Sequence, residues 1–514
     1  MVKPVEAVVI VGGGTAGWLT AGTIAARLQA RMKAGGFSVT LVESPNVPAI
    51  GVGEGTWPTL RDTLQRIGVS ETALFRECDA AFKQGGQFVG WTTGAAGDSY
   101  YHPLMIPQGF SRVNLVPHWL AEGGSVSFCD FVTPQGRLCE RGLAPKTITQ
   151  GEYRTVANYA YHLDAGKFGP FLARHCIEKL GVRHVLADVK RIDQDERGDI
   201  VSLQTEQAGT VHGDLFIDCS GFSALLLGRT LGVGFKDCGD VLLCDTALAV
   251  QVPSKPDEPM ASHTIATAHE AGWTWDICLP TRRGVGYVYS SRHASEAEAH
   301  ATLLRYIGAE HKDLPVRKIG IRAGHRATFW KNNCVAVGLA QGFLEPLEAS
   351  AIVLVELSAK LIAERMPACR EVMDIVGRHF NEVTQYRWGR IIDFLKLHYV
   401  LTQRTDTQFW RDNVDPATVP DRLADMLKLW QYQSPWFFDE LDRLEEVFPA
   451  ASYQYVLYGM GFRTEVRPEE RAETVPEAQR LVQETARMSG ELCARLPKNR
   501  ELLQKIYQYG LQPV

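Results

Sequence analysis

The segment Val8-Val9-Ile10-Val11-Gly12-Gly13-Gly14-Thr15-Ala16-Gly17 joins a run of β-branched apolar residues to a glycine cluster. Four consecutive apolar residues of this type predict a strand covered on both faces. After the glycines, Ala, Leu and Ile recur at helical spacing from Ala16 to Arg31, and Phe37-Ser38-Val39-Thr40-Leu41-Val42-Glu43 supplies a second strand. Strand, helix and strand of these lengths form a βαβ unit, so the two strands are predicted to be parallel neighbours. The glycine cluster fits GxGxxG. Its first glycine, Gly12, allows the tight turn, Gly14 lets the backbone approach a pyrophosphate, and Gly17 lets helix and strand pack closely. The helix start at Thr15 and Ala16 then offers N–H groups to phosphate, and Glu43 closes the second strand where a carboxylate can accept from ribose hydroxyls.

Outside this unit the composition is that of a folded protein. The 514 residues are 45% hydrophobic and 22% charged, which predicts two or three packed units and excludes a disordered, collagen-like or low-complexity chain. Lys and Arg number 54 against 59 Asp and Glu, for a net charge of −5, and no basic run exceeds a pair such as Arg282-Arg283. That balance argues against nucleic acid and for a small-molecule partner. The 11 cysteines are dispersed without a CxxC pair, as expected of free, mostly buried thiols in a reducing cytoplasm. No apolar stretch reaches the roughly eighteen residues that would span a bilayer, and the apolar start, Ala7 to Val11, is too short for a signal peptide.

Further along, His184 to Ile192 and Ile200 to Thr205 read as a hairpin across Asp193 to Asp199. Arg197 and Gln204 stand where a calcium loop needs oxygen ligands, so the hairpin tip reads as a solvated turn. Leu215 to Gly221 and Asn333 to Gly338 are buried strands ending in small residues, a shape suited to bringing backbone against a ligand. From about Ala351 the periodicity changes to three-to-four residues in Ile352 to Arg365, Arg370 to Tyr399, Pro420 to Trp430 and Glu477 to Arg495, which predicts a helical last third. The proline-rich connections Pro253 to Pro259 and Arg463 to Pro468 are too short to separate an independent module.

NAD and FAD both use the βαβ fingerprint. Only one copy is present, so a second nucleotide has no evident site, which favours FAD with reducing equivalents arriving from elsewhere. Four ordered motifs sharpen this: Gly12 to Trp18, Ile50-Gly51-Val52-Gly53-Glu54-Gly55-Thr56-Trp57-Pro58, Trp273-Thr274-Trp275-Asp276-Ile277, and Leu344-Glu345-Pro346-Leu347-Glu348. Together they resemble the flavin-dependent halogenases of the tryptophan-halogenase type over roughly residues 5 to 460, with Cys278 where that family's WxWxIP signature has proline.

The resemblance implies an α/β fold: a Rossmann-like, flavin-monooxygenase-like FAD domain with an additional β-sheet, and a mainly helical C-terminal region covering the substrate. The expected division is residues 1–350 and 351–514. It implies that FADH2, dioxygen and chloride or bromide yield hypohalous acid, which a lysine guides to an electron-rich aromatic held apart from the flavin. That lysine would be Lys83, which without the resemblance reads as a surface cation on a helix end. The catalytic glutamate would be Glu348, with Glu345 its nearest rival. Ile50, Gly51, Val52, Gly338 and Leu347 would join Gly12, Gly14, Thr15, Ala16, Gly17 and Glu43 around the flavin. Ser350 and Ala351 would hold halide at a helix start. His102, Pro103 and Leu104 would touch substrate, Leu104 replacing a phenylalanine that completes the sandwich in the family. Trp273 and Trp275, two apart on a strand and therefore on one face, would wall substrate from flavin.

Ser434-Pro435-Trp436-Phe437-Phe438-Asp439-Glu440 lacks the Tyr-Tyr pair that holds tryptophan's amino-acid part in the family, which favours indole, an indole derivative or a larger aromatic over free tryptophan. The implied partners are a separate NAD(P)H-dependent flavin reductase, a small aromatic substrate and a second copy of the chain as a homodimer. The location implied is cytoplasmic. Competing readings are a flavin-dependent aromatic hydroxylase of similar fold and an inert flavin-binding homologue.

Overall fold

The computed structural model describes residues 3–47, 53–437, 446–467 and 469–513. Strand Ala7–Val11 lies at the centre of a six-stranded sheet, parallel to Ser38–Glu43 on one side and to Leu215–Asp218 on the other. Val8 and Ile10 on one face and Val9 and Val11 on the other are all buried, which is why the strand is apolar on both faces. Cys334–Ala336 adds beyond Leu215–Asp218, so both buried strands ending in small residues enter the sheet that carries the glycine loop. A Cβ on Gly12, whose φ is +118°, would lie 2.1 Å from the Cys219 carbonyl oxygen, and one on Gly17 would lie 1.9 Å from the Gly12 oxygen. Turn and helix can approach this closely only without side chains.

Two local expectations need correction. The first helix runs Thr15–Arg27 and breaks at Leu28, whose backbone leaves the helical region, into a short helix, Gln29–Lys33. The segment His184 to Ile192 is not one strand. Arg183–Leu186 pairs in parallel with Ser38–Glu43, whereas Val189–Gln194 pairs with Ile200–Thr205 in a separate three-stranded sheet. The switch occurs where the Ala187 N–H donates to the Glu43 carbonyl and the Asp188 carboxylate accepts from Ser44 and Asn46, which pins the corner.

A seven-stranded sheet holds Gly272–Cys278 between Arg282–Tyr289 and Thr264–Ala268, with Gly85–Val89 and Ser99–Pro103 at one edge. Trp273 and Trp275 share one face as their spacing predicts, with ring centroids 6.4 Å apart. Directly opposite Trp275 is Gly286, where a Cβ would lie 2.1 Å from the indole. Gly286→Ala is therefore expected to destabilise the fold by about 3 kcal/mol through overpacking, measurable by denaturant unfolding.

The last third is helical. Ser350–Glu364 and the long Arg370–Val400 lead, followed by Asp421–Trp430, Ala450–Gly459, Val475–Arg495 and Asn499–Tyr509. One apolar core, from Val5 to Leu511, joins these helices to the sheets. Among the described residues no helix is long and apolar enough to cross a membrane.

Candidate active site

Lys83 is not a surface cation on a helix end. It closes the short strand Ala81–Lys83, paired with Ala160 of Ala160–Asp164, and is 6% exposed. Its Nζ donates to the Thr56 carbonyl oxygen at 3.2 Å. Thr56 is itself fixed, exchanging bonds with Tyr161 through its N–H and hydroxyl. Burial pushes the ammonium's pKa down to about 8, against the opposing pull of the Glu348 charge. A methyl placed on Gly55 would lie 3.3 Å from Lys83 Nζ and 3.4 Å from Ala349 Cβ, so the ammonium and the residue after Glu348 face the same glycine.

Glu348 ends the loop before helix Ser350–Glu364. Its Oε1 is bonded to His102 Nδ1 at 2.9 Å and to His398 Nε2 at 3.0 Å. His398 also donates Nδ1–H to the Phe394 carbonyl, which fixes the orientation of the ring. Burial alone would raise the Glu348 pKa, but the charges and hydrogen bonds of the two imidazoles hold it well below the ordinary carboxylate value. Among the described residues no group bonds Oε2, which leaves that oxygen to accept a proton from a bound molecule. Between Glu348 and the helix, Ala349 sits at φ +52°, a left-handed conformation that a non-glycine residue adopts at some cost.

Of the residues singled out in the sequence, the fold sets His102 against Glu348 and puts Lys83 within reach of the Glu348 charge. His102 faces Glu348 and, through Nε2, Ser452 on helix Ala450–Gly459; Pro103 follows it buried and Leu104 half-buried. Sequence reasoning missed His398, Thr56 and Ser452. A histidine on the apolar face of a helix announces burial and nothing about its partner. Ser350 opens its helix buried, Ala351 is exposed, and no side chain caps that helix. Glu345, three residues before Glu348, is committed elsewhere: its Oε2 accepts from Trp273 Nε1 at 2.8 Å and Tyr399 hydroxyl at 2.7 Å, tying the tryptophan strand to the long helix. Both Trp273 and Trp275 are buried, at 1% and 6% exposure.

At the glycine loop the residues suit a dinucleotide. Helix Thr15–Arg27 has no side-chain cap, the space in front of Gly14 is open, and a cavity of about 460 Å³ is lined by Gly13, Gly14, Thr15, Glu43 and His184 among others. An uncapped helix start facing a cavity with free N–H donors fits a pyrophosphate. Glu43 borders that cavity, although His184 Nε2 already lies 3.0 Å from one of its oxygens. Gly338, at φ +71°, turns against the same helix, where a Cβ would lie 2.7 Å from Ala16 Cβ, and Leu347 is buried nearby in sequence to Glu348. Ile50, Gly51 and Val52 lie outside the described residues.

The chain is similar to known proteins over most of its length. The family model described as tryptophan halogenase matches residues 7–477. The chain is 34% identical over 484 residues to tryptophan 6-halogenase SttH of Streptomyces toxytricini, covering 89% of each. It is 33% identical over 441 residues to tryptophan 7-halogenase RebH of Lentzea aerocolonigenes, covering 82% of this chain and 80% of that one. The crystal structure of a tryptophan halogenase from Shewanella frigidimarina superposes with a TM-score of 0.96 at 46% identity, covering 100% of this chain and 99% of that one. With the glycine loop, the tryptophan strand and the loop before Ser350 all inside the matched span, the chain belongs to the tryptophan halogenase family and is a flavin-dependent halogenase that uses FADH2 and halide.

Proposed function

We propose that the chain halogenates indole or an indole derivative rather than free tryptophan, with Lys83 guiding hypohalous acid and Glu348 receiving the proton released by the ring. The observation that carries this reading is a buried ammonium, Lys83, that feels the charge of the largely buried Glu348 carboxylate, with Lys83 and the residue after Glu348 both facing Gly55. Bound at the glycine loop, reduced flavin would supply the electrons that let dioxygen oxidise halide. The protein's own part is positioning. Lys83 Nζ offers a hydrogen bond to the oxygen of the acid and assists departure of hydroxide as water, while Glu348 Oε2 takes the proton from the carbon that has gained halogen. His102 and His398 keep that carboxylate ionised and aimed. Ser350 and Ala351 are our candidates for holding halide, and His102, Pro103 and Leu104 for lining the substrate side.

The substrate assignment rests on the missing Tyr-Tyr pair; Phe438, Asp439 and Glu440 of that stretch lie outside the described residues. A separate flavin reductase, a homodimer, a cytoplasmic location and the division into a flavin unit (1–350) and a helical cover (351–514) complete the proposal. The test supplies a flavin reductase, NADH, FAD, oxygen and bromide, and examines indole and tryptophan by mass spectrometry. Brominated indole, with little bromotryptophan, is expected. Indole that gains oxygen instead of bromine would identify a hydroxylase, and preferred bromination of tryptophan would overturn the substrate assignment.

A further inference from the structure

Resting on the halogenase reading, we propose that Trp57 is an internal arene of the active site and the position at which the enzyme halogenates itself when no substrate is present. The Trp57 indole Nε1–H donates to the main-chain carbonyl oxygen of Glu348 at 2.9 Å, so the ring is fastened to the residue that receives the ring proton. Its ring packs against Phe448 in a T-shaped pair, 4.8 Å between centroids, and Phe448 stacks on Phe394 at 3.7 Å. Phe394 in turn contacts His102 and His398, the two imidazoles on the Glu348 carboxylate. The indole therefore stands within the aromatic surroundings of Glu348. On its other side, the residue before it, Thr56, offers its carbonyl to Lys83 Nζ. Lys83 is almost fully buried whereas Trp57 is only half-buried, so this indole stands nearer solvent than the ammonium does.

Indole is among the most electron-rich rings a protein carries. Hypobromous acid delivered at Lys83 would give its bromine to a ring carbon of Trp57: the carbon–bromine bond forms as the bromine–oxygen bond breaks, hydroxide leaves and becomes water with a proton, and the ring C–H proton passes to Glu348. The net change is acid plus indole to bromoindole plus water, and the oxidant is the hypohalous acid that the halogenase reaction makes. An added arene competes for the same oxidant.

The experiment runs the intact enzyme with reductase, NADH, FAD, oxygen and bromide, with and without indole, and maps bromine on peptides by its isotope doublet. Without indole, bromine on Trp57 is expected about tenfold or more above any other aromatic residue, because the ring is tied to Glu348 and follows directly on the residue whose carbonyl accepts from Lys83. Added indole should suppress the label, and Lys83→Ala should remove it. Trp57→Phe should remove it too without moving it to a neighbouring residue. An enzyme that brominates added indole yet carries no bromine on Trp57 overturns the proposal and leaves the halogenase reading standing. So does bromine spread evenly over exposed tyrosines such as Tyr432 and Tyr509, which would mark free acid escaping. A protein that brominates neither indole nor itself fails the parent reading and this one with it.

Discussion

Lys83→Ala lowers halogenated product by about a thousandfold while reduced flavin is still oxidised by oxygen at the wild-type rate. The separation of the two rates follows from placement. Lys83 lies at the end of a strand in the small sheet with Ala160–Asp164, away from the glycine loop of the six-stranded sheet, so removing its ammonium leaves the nucleotide cavity intact. The measurement is product by mass spectrometry beside stopped-flow absorbance of the flavin. A variant that keeps halogenating would end the role assigned to Lys83.

The same residue carries a stability cost. Its folded pKa of about 8 lies below the ordinary lysine value of 10.5, so the buried charge opposes folding at every pH below about 8, and the penalty fades as pH rises toward the ordinary value. Lys83→Met is accordingly expected to stabilise the protein at neutral pH by about 1–3 kcal/mol while remaining inactive, as when an active site holds strain for function. NMR of isotope-labelled lysine should show the wild-type titration near pH 8, lower in Glu348→Gln, because the Glu348 charge supports the ammonium.

Glu348→Gln is expected to lower halogenation by about a hundredfold, through loss of the base we propose for the ring proton. The amide oxygen can still accept from an imidazole, so the aromatic surroundings persist and flavin oxidation continues. What disappears is the negative charge that both His102 and His398 face. Because the Glu348 pKa in the folded chain lies below its ordinary value of 4.5, its contribution to stability is present above that value and is lost as pH falls below it. Denaturant unfolding should therefore show wild-type stability declining more steeply than that of Glu348→Gln as pH drops from about 5 to about 3. Parallel curves would show that the two imidazoles do not hold this carboxylate ionised.

The strand–glycine–helix–strand unit was legible because each of its parts is local: β-branched residues favour a strand, a missing Cβ permits the turn, and apolar spacing fixes the helix face. The parity of Trp273 and Trp275 was legible for the same reason, since residues two apart on a strand share a face wherever the strand lies. Contacts between segments were not. The split of His184 to Ile192 between two sheets depends on hydrogen bonds from Ser44 and Asn46, more than a hundred residues away.

Within the site, motif resemblance named Lys83, Glu348 and His102, while nothing in Leu395-Lys396-Leu397-His398-Tyr399 singled out His398 from a buried apolar helix. Likewise, the different surroundings of Glu345 and Glu348 come from partners drawn from three separate elements, Trp273 and Tyr399 for one, His102 and His398 for the other. The sequence by itself determined the nucleotide-binding unit and the residue types available for chemistry, because both follow from short-range sterics and side-chain identity. Only the tertiary structure decided which partners each carboxylate meets, how far the lysine is desolvated and that Trp57 stands against Glu348, because environment and proximity are set by whichever distant segments pack around a group.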